Sequence, residues 1–375
     1  MTDQLDTQEE RTIVIVMLSP TRDSPQTTDT PVSGADVRAL RFLDYCLLHD
    51  IHTTIITNSY GAALVSRKRA CNMITLRAPA FIERNPRLDL FKSYCLLPIM
   101  SFRALVRLHI RVVVGMSALP PDSIAVGFAA LRNRSCWVFF HHWVHIMRLR
   151  DAIPRLLQFA TLRMLRLTSV RILALPSSSR QVASTVGKHR VFDFKNAIEV
   201  LDPSHFERVP RIDVLYVGRI SSRKGSDDLI EIWERVFKID PTRRLTIVGP
   251  VEDPKFLKRL SESQAKTTVQ ILGEVDEEEK LDLLGSAKCF IATSHEEGWG
   301  LAVSEALGAG LSIVAYDLPA YTFAGSTITR VSLGDYNGFA TAITQSQSSR
   351  NYRVSGQGWD EVIAADLVKV FSRYA

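Results

Sequence analysis

Short runs of β-branched and aliphatic residues alternate along this chain with segments whose apolar residues recur at helical spacing. Arg11-Thr-Ile-Val-Ile-Val-Met-Leu18 reads as a strand buried on both faces, because it lacks the polar alternation of a half-exposed strand. A polar loop ending at Pro31-Val-Ser-Gly34 follows it. Residues 35–49 then place Val37, Leu40, Phe42, Leu43, Leu47 and Leu48 on a helical repeat, and Ile51-His-Thr-Thr-Ile-Ile-Thr57 reads as the next strand, giving a βαβ unit. Further strands are predicted near 111–115, 136–140 and 171–175, with helices near 88–108, 122–132 and 151–168. Asp202-Pro203 and Val209-Pro210 interrupt the pattern, which then restarts. Strands are predicted at 213–217, 244–248, 268–272, 288–292 and 312–315, and helices at 226–239, 253–264, 277–286 and 301–308. A last amphipathic helix is predicted from Trp359 to Tyr374.

The expected fold is therefore α/β, with two doubly wound, Rossmann-like parallel domains. Residues 1–200 form the first, residues 210–358 the second, and the helix of 359–375 returns to the first domain. At 375 residues the chain has the length for two ordinary cores. Open sheets of this kind bind ligands at the carboxyl ends of their strands, so two domains facing a central cleft would carry their chemistry on βα loops.

Composition removes several alternatives. Hydrophobic residues make up 46 % and charged residues 23 %, the balance of a globular protein. The five cysteines are scattered, with no CxxC pair and no clustered histidines, so neither a disulfide framework nor a zinc site is expected. Residues 1–10 are polar and acidic, unlike a secretory signal, and the longest apolar run, 104–119, is broken by Arg107, His109 and Arg111; a cytoplasmic location is expected. The net charge of +6 is uneven, with thirteen Lys/Arg against four Asp/Glu between residues 81 and 170. Much of that charge stands in apolar company, which suits either peripheral contact with an anionic membrane or solvated arginines whose stems cover helix faces. The arginines lack aromatic interleaving and a nucleic-acid motif, so no nucleic-acid partner is expected.

Two loops carry the functional signal. Val217-Gly-Arg-Ile-Ser-Ser-Arg-Lys-Gly225 follows the first strand of the second domain. There Gly218 frees the backbone, Arg219 supplies a planar fork of donors, and Lys224 adds a point charge at a helix start, which together suit a diphosphate. His295-Glu-Glu-Gly-Trp-Gly300 follows the strand at 288–292 and opens the helix at Leu301. Its glycines admit close backbone approach, and the first helical amides favour an anion or a sugar hydroxyl. Glu305 lies one turn inside that helix and would repel phosphate, so a neutral diol such as a ribose is its expected partner, while Glu297 can accept hydrogen bonds from a bound sugar. The residues alone favour Glu297 as a surface charge and Glu305 as a helix-dipole partner worth about 0.3–1 kcal/mol.

Glu297-Gly-Trp-Gly-Leu-Ala-Val-Ser-Glu305 resembles the Glu-x7-Glu motif of retaining glycosyltransferases with the GT-B fold, of the family 4 type called glycosyl transferases group 1. Gly218-Arg-Ile-Ser-Ser-Arg-Lys-Gly225 resembles the same family's Gly-Arg-(x)n-Lys-Gly loop. The resemblance implies that Gly218, Arg219 and Lys224 hold the diphosphate of a nucleotide sugar and that Glu305 binds its ribose. It also implies that Glu297 acts on the transferred sugar, with Gly298, Trp299, Gly300 and Leu301 lining the donor site. In the first domain, Gly34 resembles the family's first-loop glycine near the diphosphate, and His141 resembles its histidine near the reacting centre. Here Ser33-Gly34 replaces paired glycines, and His142 directly follows His141.

The implied activity is transfer of a sugar from a nucleotide-diphosphate sugar to an acceptor hydroxyl with retained configuration, using no metal and no cofactor beyond the donor substrate. The acceptor would be a glycan or a lipid-linked molecule at the inner face of the membrane. The other readings of this fold are a nucleotide-sugar epimerase and a non-catalytic sugar-nucleotide-binding subunit.

Overall fold

The computed structural model describes residues 12–18, 34–66, 71–76, 96–108, 111–132, 134–141, 152–202, 211–346 and 356–372. The chain divides into two compact units, Met1–Lys195 with Asp360–Ala375, and Asn196–Trp359.

The first unit is a seven-stranded parallel sheet. Its strands are β1 (Thr12–Met17), β2 (His52–Asn58), β3 (Asn72–Leu76), β4 (Val112–Gly115), β5 (Ser135–Phe140), β6 (Arg171–Ala174) and β7 (Val191–Asp193), in the order β3-β2-β1-β4-β5-β6-β7. Its helices are α1 (Gly34–Leu48), α2 (Ser59–Ser66), α3 (Leu97–Arg107), α4 (Pro120–Ala130), α5 (Ala152–Leu165) and α6 (Pro176–Val186). The strand order reverses beside β1, which pairs with β2 on one side and β4 on the other. Val14, Val16, Val113, Val138 and Ile172 are among the buried residues of one core, as expected of strands covered on both faces.

Four elements of this unit fall where no element is predicted: α2, β3, α6 and β7. β3 lies at the sheet edge with Leu76 as its one buried residue, and β7 has three residues, so neither carries a long apolar run. In α6, Pro-Ser-Ser-Ser reads as loop, yet Pro176 stands at the helix start, where its missing N–H costs nothing. The helix predicted over 88–108 is seen from Leu97, and its first part lies outside the described residues, as do the polar loop of 19–33 and His142.

The second unit is a six-stranded parallel sheet of β8 (Ile212–Val217), β9 (Leu245–Val248), β10 (Val269–Gly273), β11 (Ala287–Ala292), β12 (Ser312–Tyr316) and β13 (Ile328–Val331), in the order β10-β9-β8-β11-β12-β13. Helices α7 (Ser226–Ile239), α8 (Pro254–Glu262), α9 (Glu277–Ser286), α10 (Leu301–Gly308) and α11 (Tyr336–Gln345) cover it. β13 and α11 lie beyond the last strand predicted from sequence, in a stretch whose β13 is only half buried. The order reverses between β8 and β11, which are hydrogen-bonded neighbours with Cys289 opposite Val214. A ligand-binding crevice is expected at the carboxyl ends of such a pair.

The last helix, α12 (Trp359–Phe371), is fixed within the first unit by a buried charge cluster. Arg38 of α1 is fully buried, forms an ion pair with Asp366, donates to the Lys195 carbonyl at 2.7 Å, and lies 4.6 Å from the Phe194 ring centroid. Lys369 donates to the Asp193 carbonyl at 2.7 Å. The first unit ends at Lys195 rather than residue 200, because Ile198 N donates to Gln357 O and Leu201 N to Gly308 O, each at 3.0 Å, tying this segment to the second unit.

Candidate active site

In the second unit the two loops singled out above leave the carboxyl ends of β8 and β11, adjacent strands at the point of reversal. After β8 the chain passes Gly218, makes a 3-10 turn over Ser222–Lys224, and enters α7 through Gly225. Gly225 has φ +71°, and a Cβ there would lie 2.0 Å from the Thr293 carbonyl oxygen, so only glycine lets the loops approach this closely. Thr293 Oγ1 donates to Lys224 O at 2.8 Å, and His295 N donates to Arg223 O at 3.0 Å. This lacing brings Lys224 Nζ to 2.5 Å from Glu297 Oε1, which also accepts from Ser294 Oγ at 2.8 Å.

Beyond Glu297, Gly300 takes φ +88° and caps α10, where an added Cβ would stand 2.5 Å from the Tyr321 ring. Trp299 is buried and stacks on Phe323 with centroids 4.3 Å apart; its indole N–H has no partner among the described residues. The amides of Leu301 and Ala302 belong to the first turn of α10, where backbone donors have no intrahelical acceptor. One turn on, Glu305 Oε1 accepts from Lys280 Nζ of α9 at 2.9 Å, and Lys280 also pairs with Glu277 at 3.0 Å. Burial raises the Glu305 carboxyl, and Lys280 opposes that shift. Burial alone would lower the Lys280 ammonium, but Glu305 and Glu277 outweigh it and the net shift is upward.

Of the two predicted cations, Lys224 meets Glu297, whereas Arg219 pairs with Glu252 at 3.3 Å, both side chains being 43 % exposed. Three residues absent from the sequence expectation complete the arrangement. Lys280 holds Glu305. Asp228 accepts from Tyr316 OH at 2.7 Å and bonds His295 Nε2 at 2.9 Å, anchoring the loop that carries Glu297 to α7. Burial would raise the Asp228 carboxyl, but the bonds from His295 and Tyr316 bring it below the usual carboxylate range. Ser294 is the third. Asp228, four residues after Lys224, had a signal in its position at a helix start; Lys280 had none, being separated from Glu305 by 25 residues.

In the first unit, Gly34 opens α1, and His141 follows β5. A carbonyl can only accept, so His141 Nε2 carries a proton and donates to Met116 O at 2.9 Å, leaving Nδ1 as the acceptor nitrogen. Burial, reinforced by Arg38 and opposed by the Met116 bond, lowers the imidazole to about 4, so the ring is neutral near pH 7. Asp122 ties the neighbouring strand ends together, accepting from Leu18 N at 2.7 Å and from Ser117 N at 3.0 Å.

Residues 198–324 match the family described as Glycosyl transferases group 1. The resemblance to glycosyl transferases group 1 carried by Gly218–Gly225 and Glu297–Glu305 is thus borne out, both stretches lying inside the matched segment. A relative in sequence is the GDP-mannose:cellobiosyl-diphosphopolyprenol alpha-mannosyltransferase of Xanthomonas campestris, 27 % identical over 188 residues, 48 % of each chain. The chain spans about half the length of the curated relatives it matches. Among solved structures, the Anabaena HepE protein in complex with UDP and glucose superposes with a TM-score of 0.62 at 14 % identity, covering 96 % of this chain and 95 % of that one. The sucrose-phosphate synthase of Thermosynechococcus elongatus gives 0.68 at 15 % identity, covering 96 % and 94 %. These likenesses establish the fold, the α/β GT-B type, across nearly the whole chain.

Proposed function

We propose that the protein is a retaining glycosyltransferase that moves a sugar from a nucleotide-diphosphate sugar to an acceptor hydroxyl without a metal. The observation that carries this reading is the meeting of the cationic and acidic loops at the β8–β11 reversal, with Lys224 Nζ 2.5 Å from Glu297 Oε1. An ammonium has three donors, so Lys224 can hold Glu297 and a phosphate oxygen together.

In this scheme Gly218, Arg219 and Lys224 take the diphosphate, and Arg219 exchanges its exposed Glu252 partner for phosphate. The amides of Gly298, Trp299, Gly300 and Leu301 line the sugar-phosphate end, and Glu305 takes the ribose. Gly34 is assigned to the diphosphate, and His141, neutral and with Nδ1 as acceptor, to the reacting end. The bond from the anomeric carbon to the diphosphate oxygen breaks, the bond to the acceptor oxygen forms on the same face, and the acceptor's proton passes to the leaving phosphate. Arg219, Lys224 and the amides offset the charge that develops there. Glu297, released from part of its contact with Lys224, accepts hydroxyls of the sugar.

A lipid-linked acceptor is favoured by α5. Leu156, Phe159, Arg163 and Leu167 follow one another on one outward stripe through the end of that helix and just beyond it, with Leu156 67 % and Leu167 86 % exposed and Arg163 over the Phe159 ring at 5.5 Å. Apolar side chains flanked by Arg155, Arg163 and Arg166 suit the inner face of an anionic membrane. Among the described residues no helix is long and apolar enough to cross a bilayer.

The test is turnover and nucleoside diphosphate binding after a screen of nucleotide sugars, run in EDTA. Glu297→Gln should cut turnover roughly a hundredfold while nucleoside diphosphate affinity changes little. A near-normal rate removes Glu297 from the chemistry, and loss of wild-type turnover in EDTA overturns the metal-free scheme.

A further inference from the structure

One residue of the second unit has a placement that the donor reading does not use. Lys280 is 17 % exposed, stands on a different helix from Glu305, and meets two carboxylates, Glu277 at 3.0 Å and Glu305 at 2.9 Å. Glu277 is in the first turn of α9, three residues before Lys280 and 65 % exposed, so this bond is an ordinary surface pair. The bond to Glu305 is different. It spans from α9 to α10 and takes Oε1, while Oε2 accepts no hydrogen bond from any described residue.

A carboxylate one turn inside a helix whose first amides are to meet a diphosphate has two defects as a ribose ligand. Its charge repels the phosphate, and its side chain is free to rotate, so part of any hydrogen bond to a diol is lost in ordering it. Lys280 removes both. It neutralises Glu305 from the side of α9, and by holding Oε1 it restricts the carboxylate to orientations that leave Oε2 available.

Resting on the donor reading above, we propose that Lys280 is a positioning residue that orients Glu305 for a vicinal diol, so that recognition of the ribose 2′- and 3′-hydroxyls depends on a lysine that does not itself touch the nucleotide. The chain thereby distinguishes ribonucleotide donors from deoxy analogues through a pair of helices rather than through one side chain. An arginine at 280 keeps a donor and a charge there; a methionine keeps the apolar stem and loses both.

The experiment measures calorimetric affinities of the full chain for UDP, GDP and ADP and for their 2′,3′-dideoxy counterparts, and reads the ribose preference, the ratio of the two affinities for whichever base binds. Repulsion between Glu305 and the diphosphate acts on both members of a pair and cancels in the ratio, as does any loss of folded protein. The wild type should prefer the ribonucleotide by about tenfold, the magnitude of a charge-assisted hydrogen bond. Lys280→Met should bring the ratio close to one, as should Glu305→Ala, and Lys280→Arg should retain most of it. If Lys280→Met keeps the wild-type ratio while Glu305→Ala abolishes it, Glu305 binds the ribose unaided and the inference is overturned, with the donor reading intact. If Glu305→Ala keeps the ratio, or the wild type has no preference, the ribose role of Glu305 fails and the inference falls with it.

Discussion

The replacement Gly225→Ala tests the geometry on which the site depends. Gly225 has φ +71°, and an alanine there bears the left-handed penalty of about 1–2 kcal/mol. Its Cβ would also lie 2.0 Å from the Thr293 carbonyl oxygen, a backbone atom at the end of β11 that cannot rotate away. Forcing such an overlap costs about 1–3 kcal/mol more. Gly334→Ala is the control, since Gly334 has φ +83° and a Cβ added there would meet nothing within 4 Å, so it bears the first cost alone. For a unit the size of Asn196–Trp359, each kcal/mol moves Tm by about 2–4 °C, so Gly225→Ala should melt about 2–12 °C below Gly334→Ala. It should also lose affinity for the nucleoside diphosphate, because parting the loops draws Lys224 from Glu297, whereas the control should bind normally. Differential scanning calorimetry and titration calorimetry provide both readouts. Equal melting and equal binding in the two variants would refute the claim that this close approach builds the site.

A pH series tests the first unit. His141 is lowered from 6.5 to about 4 in the folded protein, so between these values the unfolded chain holds more protons and stability falls as the pH drops through the window. Wild type should therefore lose up to about 3 kcal/mol more than His141→Gln between pH 7 and pH 4 in urea titrations, and parallel curves would rule this out. On vesicles, the wild type should sediment with anionic but not neutral lipid, and Leu156→Ser with Phe159→Ser should weaken this binding; equal sedimentation on both lipids would remove the membrane from the scheme.

The two sheets were legible in the sequence because strands covered on both faces are written as uninterrupted apolar runs, and the loops because glycine and cations cluster immediately after such runs. Gly218–Gly225 and His295–Gly300 could each be placed at a strand end, but their adjacency was legible only through the family resemblance, since it arises from the pairing of β8 with β11 across the intervening β9 and β10. The same reason hides Lys280: helix spacing relates Glu305 to Leu301, while only the bond that the fold permits between α9 and α10 relates it to a lysine 25 residues earlier. Short or exposed elements escaped for the opposite reason. β3, β7 and β13 bury too little to impose a period, and the Ser-rich start of α6 resembles a turn.

The Arg38–Asp366 pair joins residues 328 positions apart, and everything in the second unit is synthesised between them. A guanidinium with no carboxylate to meet is costly to enclose, so the interior around Arg38 stays incomplete while Asn196–Trp359, a continuous stretch, is already whole. Assembly of this protein is thus expected to invert the usual amino-terminal-first order, with the second unit maturing before the half that the ribosome makes first.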